Sequence, residues 1–150
     1  MIRASPALVF VLVLVACSTQ SGPQLPEAEY IVSAGQQFAL RVGETAGVET
    51  SQAFVLVRFN GVTQDSRCPV DVECITAGSA TALLSVQTAL NVHDITLDVP
   101  PEGSVELVVD EVTIVALGVR PNAEEGVTID PLDYIVGLRV NESGAIPVPN

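Results

Sequence analysis

Between Phe38 and Val140 the apolar residues fall at every second position, in short runs broken by turn residues. That spacing most limits what the chain can fold into. An extended strand sends successive side chains to opposite faces, whereas a helix needs an apolar repeat near ~3.6 residues. Phe38, Leu40 and Val42 alternate with Ala39 and Arg41 over Gln37 to Val42. Gln52 to Asn60 is apolar on both faces, with Val55, Val57 and Phe59 on one and Phe54 and Leu56 on the other. A strand covered on both sides sits centrally in its sheet. Gly78 to Gln87 sets Ala80, Ala82, Leu84 and Val86 on one face. Asp94 to Val99, Val105 to Val109, Val112 to Val119 and Tyr134 to Val140 complete the series. Gly43-Glu44, Asn60-Gly61, Pro100 to Gly103 and Pro121 are the turn and stop signals between them. No stretch in this range combines helical periodicity with helix caps. The pattern predicts an all-β domain over residues 30–141. It is an antiparallel sandwich of seven or eight strands, with a partly closed barrel as the alternative.

Ahead of this domain lies a different composition. Arg3 precedes a run from Ala7 to Ala16 that carries no polar side chain. As a helix the run is about 15 Å long, half a bilayer core, so it predicts an export signal rather than a membrane span. It closes as Leu14-Val15-Ala16-Cys17, which resembles the lipobox of bacterial lipoproteins. The resemblance implies a signal peptide over residues 1–16, diacylglyceryl transfer to the Cys17 thiol and acylation of the new amino terminus. Two or more acyl chains hold a protein stably where one does not. Residues 17–29, with two prolines, a glycine and small polar side chains, read as a flexible tether, and residues 142–150 as a tail. Ser18, in place of an aspartate, implies the outer membrane in a double-membraned bacterium, and otherwise the outer face of the plasma membrane.

Cleavage after Ala16 leaves 134 residues, one domain's worth of chain. Eighteen acidic residues face six arginines, one of them Arg3, and there is no lysine. Such a surface repels phosphate backbones and anionic headgroups. No nucleic-acid partner is expected, and membrane attachment falls to the lipid on Cys17. With Cys17 set aside, Cys68 and Cys74 form the natural disulfide pair of an oxidising compartment. Five residues intervene, which is not the spacing of a redox pair.

The segment Asp65-Ser66-Arg67-Cys68-Pro69, then Val72-Glu73-Cys74-Ile75-Thr76-Ala77-Gly78, resembles one found in small exported bacterial proteins, many of them lipoproteins. Asp133-Tyr134-Ile135 and Leu138-Arg139-Val140 are similar to the closing strand of that group. The resemblance spans about 100 residues and implies a fold but no activity. The chain departs from it at Thr76, where the group carries tryptophan. Two readings of the bridged loop stand side by side. In one it is a brace, with Asp65 pairing with Arg67 or accepting backbone N–H groups. In the other it is a recognition element that loses little entropy on binding, with Asp65, Arg67, Pro69 and Val70 as its contact residues.

Catalytic patterns are sparse. His93 is the only histidine, and its neighbour Asp94 points to the opposite face of a strand. No nucleophile elbow, phosphate loop or dinucleotide glycine motif occurs. Asp65, Asp71 and Glu73, and Glu124, Glu125, Asp130 and Asp133, lack the ligand spacing of a calcium loop, and no zinc spacing is present. The sequence therefore points to a non-catalytic envelope module without cofactor or metal, binding a protein, peptide or glycan. The alternatives are a protease-inhibitor-like module presenting residues 65–74, and an envelope hydrolase using His93.

Overall fold

The computed structural model describes residues 24–143. Within them nine strands form two sheets that pack face to face. The first sheet runs in the order β1 (Tyr30–Ser33), β3 (Thr45–Glu49), β4 (Phe54–Asp65), β5 (Ala80–Gln87), β6 (Val92–Val99). The second runs β2 (Gln37–Arg41), β9 (Ile135–Glu142), β8 (Val112–Arg120), β7 (Val105–Val109). The sheets do not close into a barrel, and no helix is present among the described residues.

The alternation in the sequence is the inside-outside pattern of this sandwich. Val55, Val57 and Phe59 of β4 and Ala80, Ala82, Leu84 and Val86 of β5 are fully buried. Leu40, Ile114, Val136, Leu138 and Val140 meet them from the second sheet. β4 lies third of five, as expected, but only its Val55, Val57 and Phe59 face is fully buried; on the other face Phe54 is 46% exposed. The core is built mostly from valine, leucine and alanine, with Phe59 the largest fully buried side chain.

Four sequence expectations need correction. Asn60-Gly61 is not a turn; β4 continues through it to Asp65, with a bulge at Gly61, whose φ is 136°. A glycine in a strand interior marks such a bulge as often as a turn. β3 is an additional strand, hidden because Thr45-Ala46-Gly47-Val48 carries small side chains. A Cβ on Gly47 would fall 2.3 Å from the Phe54 ring, so the glycine makes room for that ring. β1 is also additional, and it pairs with β3 in parallel, so the sandwich is not wholly antiparallel. Finally, the expected tether reaches the domain earlier than its composition suggests. The Leu25 N–H donates to the Gln87 side chain at 2.8 Å and the Glu29 N–H to the Thr45 carbonyl at 2.8 Å. The expected signal peptide and Cys17 lie outside the described residues, as does the tail from Gly144.

Register fixes which loops share an end. β5 begins beside the bridged loop and ends at Gln87, next to the turn 88–91. β8 starts at the turn 110–111, and β9 finishes there at Glu142. The turns 50–53, 88–91 and 110–111 therefore gather at one end. The bridged loop and residues 121–134 gather at the other.

A groove under the disulfide loop

The loop between β4 and β5 is built inward from Gly78. Its φ is +66°, and a Cβ there would lie 1.8 Å from the Ser66 carbonyl oxygen. Only glycine lets the two sides of the loop approach this closely. They meet as a short ladder, in which the Ser66 N–H donates to Ser79 O and the Cys68 N–H to Ala77 O, both at 2.8 Å. Beyond the ladder the Cys68–Cys74 disulfide closes the tip, with a Cα–Cα separation of 5.9 Å.

Asp65 and Arg67 tie this loop to the second sheet. The Arg67 guanidinium donates to both Asp65 carboxylate oxygens, at 2.9 and 2.6 Å. It also donates to the carbonyls of Val119 at 2.7 Å and Pro121 at 3.0 Å. The Arg67 backbone N–H donates to Asp65 as well, and so does the Tyr134 hydroxyl from the start of the last strand. Burial pushes the Asp65 carboxyl up, but the hydrogen bonds and charge of Arg67, with Tyr134, outweigh it, so its pKa lies below the usual aspartate value. Burial, and then the bond to Asp65, raise that of Tyr134. Further out, the Val70 N–H donates to Ala123 O and the Glu125 N–H to the Asp71 carboxylate, each at 2.9 Å. The bridged loop and the acidic segment after β8 are thus one connected body.

This arrangement corrects one expectation about the loop. Arg67 is only 7% exposed and its guanidinium is turned inward, so it is not a contact residue. Asp65 is half-buried and spent on Arg67. Both expected brace contacts, the ion pair and the backbone hydrogen bond, are made together. Pro69 is half-buried and Val70 is 65% exposed.

Between this body and the outer face of the second sheet runs an open groove of about 1110 Å³. Ala39 of β2, Ile135 and Gly137 of β9, and Leu117 and Gly118 of β8 form its floor. Pro69, Val70, Thr76 and Ala77 line one side, and Pro100 and Pro101 the other. Gly137 and Gly118 are partners in register, and a Cβ on Gly118 would meet nothing within 4 Å. The floor is therefore lowered where two side chains are missing. Thr76 also lies on the groove. The floor residues were not singled out from sequence. Their signal was present, since outward positions on a two-layer sandwich are ordinarily polar and Ile135, Gly137 and Leu117 are not.

His93 has a different partner from the one its sequence neighbour suggests. Its Nε2 lies 2.8 Å from Asp110 Oδ2, across from β6 to the turn between β7 and β8. The Thr88 hydroxyl donates to the same oxygen at 2.6 Å. These contacts, the Thr88 bond first, hold the Asp110 carboxyl below its ordinary pKa. Hydroxyl and imidazole share one acceptor instead of bonding each other, which is not the nucleophile–base contact of a hydrolytic triad. Among the described residues, no cluster of three or more metal-ligating side chains occurs. Comparison with protein-family profiles, curated proteins and solved structures returns no match for this chain.

Proposed function

We propose that the protein is a lipid-anchored binding module of the bacterial cell envelope, without catalysis, and that it receives its ligand in the groove beneath the disulfide loop. The groove itself carries this reading. Its floor lacks side chains at Gly118 and Gly137, and its wall is a loop already ordered by the Arg67 network and the disulfide. A preformed concave site that sets apolar floor residues beside Gln37, Glu102, Arg120 and Asn122 offers both packing surface and hydrogen-bonding groups to a ligand. A wall ordered in advance spares the ligand the entropy of ordering it. The ligand class favoured is an extended peptide or a glycan, because the groove is open rather than enclosed. Lipid attachment at Cys17 supplies the location.

Filling the floor tests this. A Cβ on Gly137 makes only ordinary 3.8 Å contacts with Gly118 O and Leu117, so Gly137→Val is compatible with the strand and projects into the groove. Peptide and glycan arrays probed with wild type and Gly137→Val give the readout. The expected result is a ligand retained by wild type and weakened at least about tenfold in the variant, with circular dichroism and Tm unchanged. Ligands bound equally by both proteins would place recognition elsewhere. Inhibition of a protease through Val70, unaffected at Gly137, would favour the inhibitor-like reading instead.

A further inference from the structure

Three stretches of the chain stand around the groove, and none of them holds a lysine, an arginine or a histidine. Residues 68–77 contribute Asp71 and Glu73, and the turn 100–103 contributes Glu102. Residues 121–133 contribute Glu124, Glu125, Asp130 and Asp133. All these side chains are exposed. Among the described residues the ion pairs are Asp65–Arg67 and His93–Asp110, so no cation there neutralises any of them. The bridged loop and the segment after β8 are one body, joined through Val70 to Ala123 and Glu125 to Asp71. Glu102 lies on the opposite side of the groove, beside Pro100 and Pro101. A chain lying in the groove therefore has carboxylates on both sides.

The same body holds apolar side chains in solvent. Ile75 is fully exposed on the bridged loop, and Val70, Val127 and Leu132 are exposed as well. Positive charge belongs to the floor instead of the walls. Arg41 and Arg120 stand in register on either side of Ile135, and Arg120 donates to Asn122 at 2.5 Å. Guanidinium groups are donors only, so these two suit the backbone carbonyls of a bound chain and leave the walls to its side chains. A surface that is apolar and acidic together is complementary to one that is apolar and basic. The net charge of −12 adds a field that draws such a partner in and repels an acidic glycan.

We infer that the ligand of the groove is an extended basic peptide, a segment of an envelope protein in which lysine or arginine alternates with apolar residues. An extended chain sends alternate side chains to opposite sides. Its apolar residues meet Ile135 and Leu117 on the floor, and its cations reach the acidic walls at the rim. The inference rests on the groove being the binding site.

The test uses the full chain in a non-ionic detergent. The probes are short dye-labelled peptides in which leucine or valine alternates with lysine or arginine, with glutamine, or with glutamate. The basic set should bind most tightly, with an association rate that falls as salt rises. Glu102→Gln with Glu124→Gln, one change on each wall, should slow that association several-fold. Glu49→Gln with Glu111→Gln removes the same charge at the opposite end of the sandwich and should leave the rate unchanged. Tighter binding of the neutral or acidic set, weakened by Gly137→Val, overturns the basic ligand and leaves the groove standing. Basic peptides that bind Gly137→Val as well as wild type overturn both. Equal slowing by the two charge pairs shows a whole-molecule field and overturns the role of the walls. Binding of no peptide set overturns the inference and assigns the groove to a glycan.

Discussion

Arg67 shows how one side chain decides whether a loop is a brace or a contact. Its guanidinium satisfies a carboxylate and two backbone carbonyls on another element, and it is almost wholly buried. Arg67→Met keeps much of the stem but strands Asp65 and both carbonyls. A loss of about 3 kcal/mol in urea unfolding is expected, in the range for breaking a buried ion pair by removing one partner. The pH dependence follows from Asp65. Its folded-state pKa is depressed, so its contribution is fully present above the unfolded value near ~3.9 and disappears as pH falls through the lower folded value. The stability gap between wild type and Asp65→Asn should therefore be widest above about pH 5 and close progressively toward about pH 2. A gap that does not narrow in acid would place the benefit outside this ionisation. Gly78 belongs to the same scale. Gly78→Ala sets a Cβ against the Ser66 carbonyl at a positive φ, and thermal melts should show a loss of more than about 2 kcal/mol.

For the loop as an element, two devices act in parallel. The disulfide closes a short span, worth about 2 kcal/mol on the chain-entropy estimate. The Gly78 ladder and the Arg67 network hold its base independently of the bridge. Cys68→Ser with Cys74→Ser should accordingly lower Tm without abolishing the sandwich. Far-UV circular dichroism should stay unchanged, while amide exchange quickens at residues 69–77 and not at Ser66 or Ser79. Collapse of the whole fold on reduction would show that the bridge, rather than the network, holds the loop. β3 carries a related lesson. Four of its five residues, Thr45 to Val48, are small and one of these is glycine, so the strand shows no strong alternation of its own. It exists because β1 and β4 pair with it on either side, and because Phe54 covers Gly47. Gly47→Ala forces that ring aside and should destabilise where an exposed strand position ordinarily gains from the change.

On the scale of the molecule, two sheets bury one continuous apolar layer, and the ends of the sandwich do different things. One end receives the chain from Cys17; the other holds the groove and the acidic segment. Phe59, fully buried at the middle of β4, couples the sheets. Phe59→Ala should cost about 3–5 kcal/mol in urea unfolding, with a single transition that moves for both ends together. Separate transitions would mean that the loop end unfolds as its own unit.

The fold class was legible because burial on one side of a strand leaves a period of two, and seven of the nine strands, all but β1 and β3, were read from the sequence. The disulfide was legible from the count of cysteines. So was the choice between Asp65–Arg67 partners, though not that both would form. What the sequence could not place were contacts set by register across distant segments: Arg67 to Val119, Asp110 to His93, Leu25 to Gln87, and Gly118 opposite Gly137. Each pair is separated by seventeen residues or more, and no local propensity encodes which face or end of a second strand a side chain will meet. Alternation determines that residues are inside or outside. The pairing order of the strands, which only tertiary packing decides, turns two outward glycines and a bridged loop into a groove.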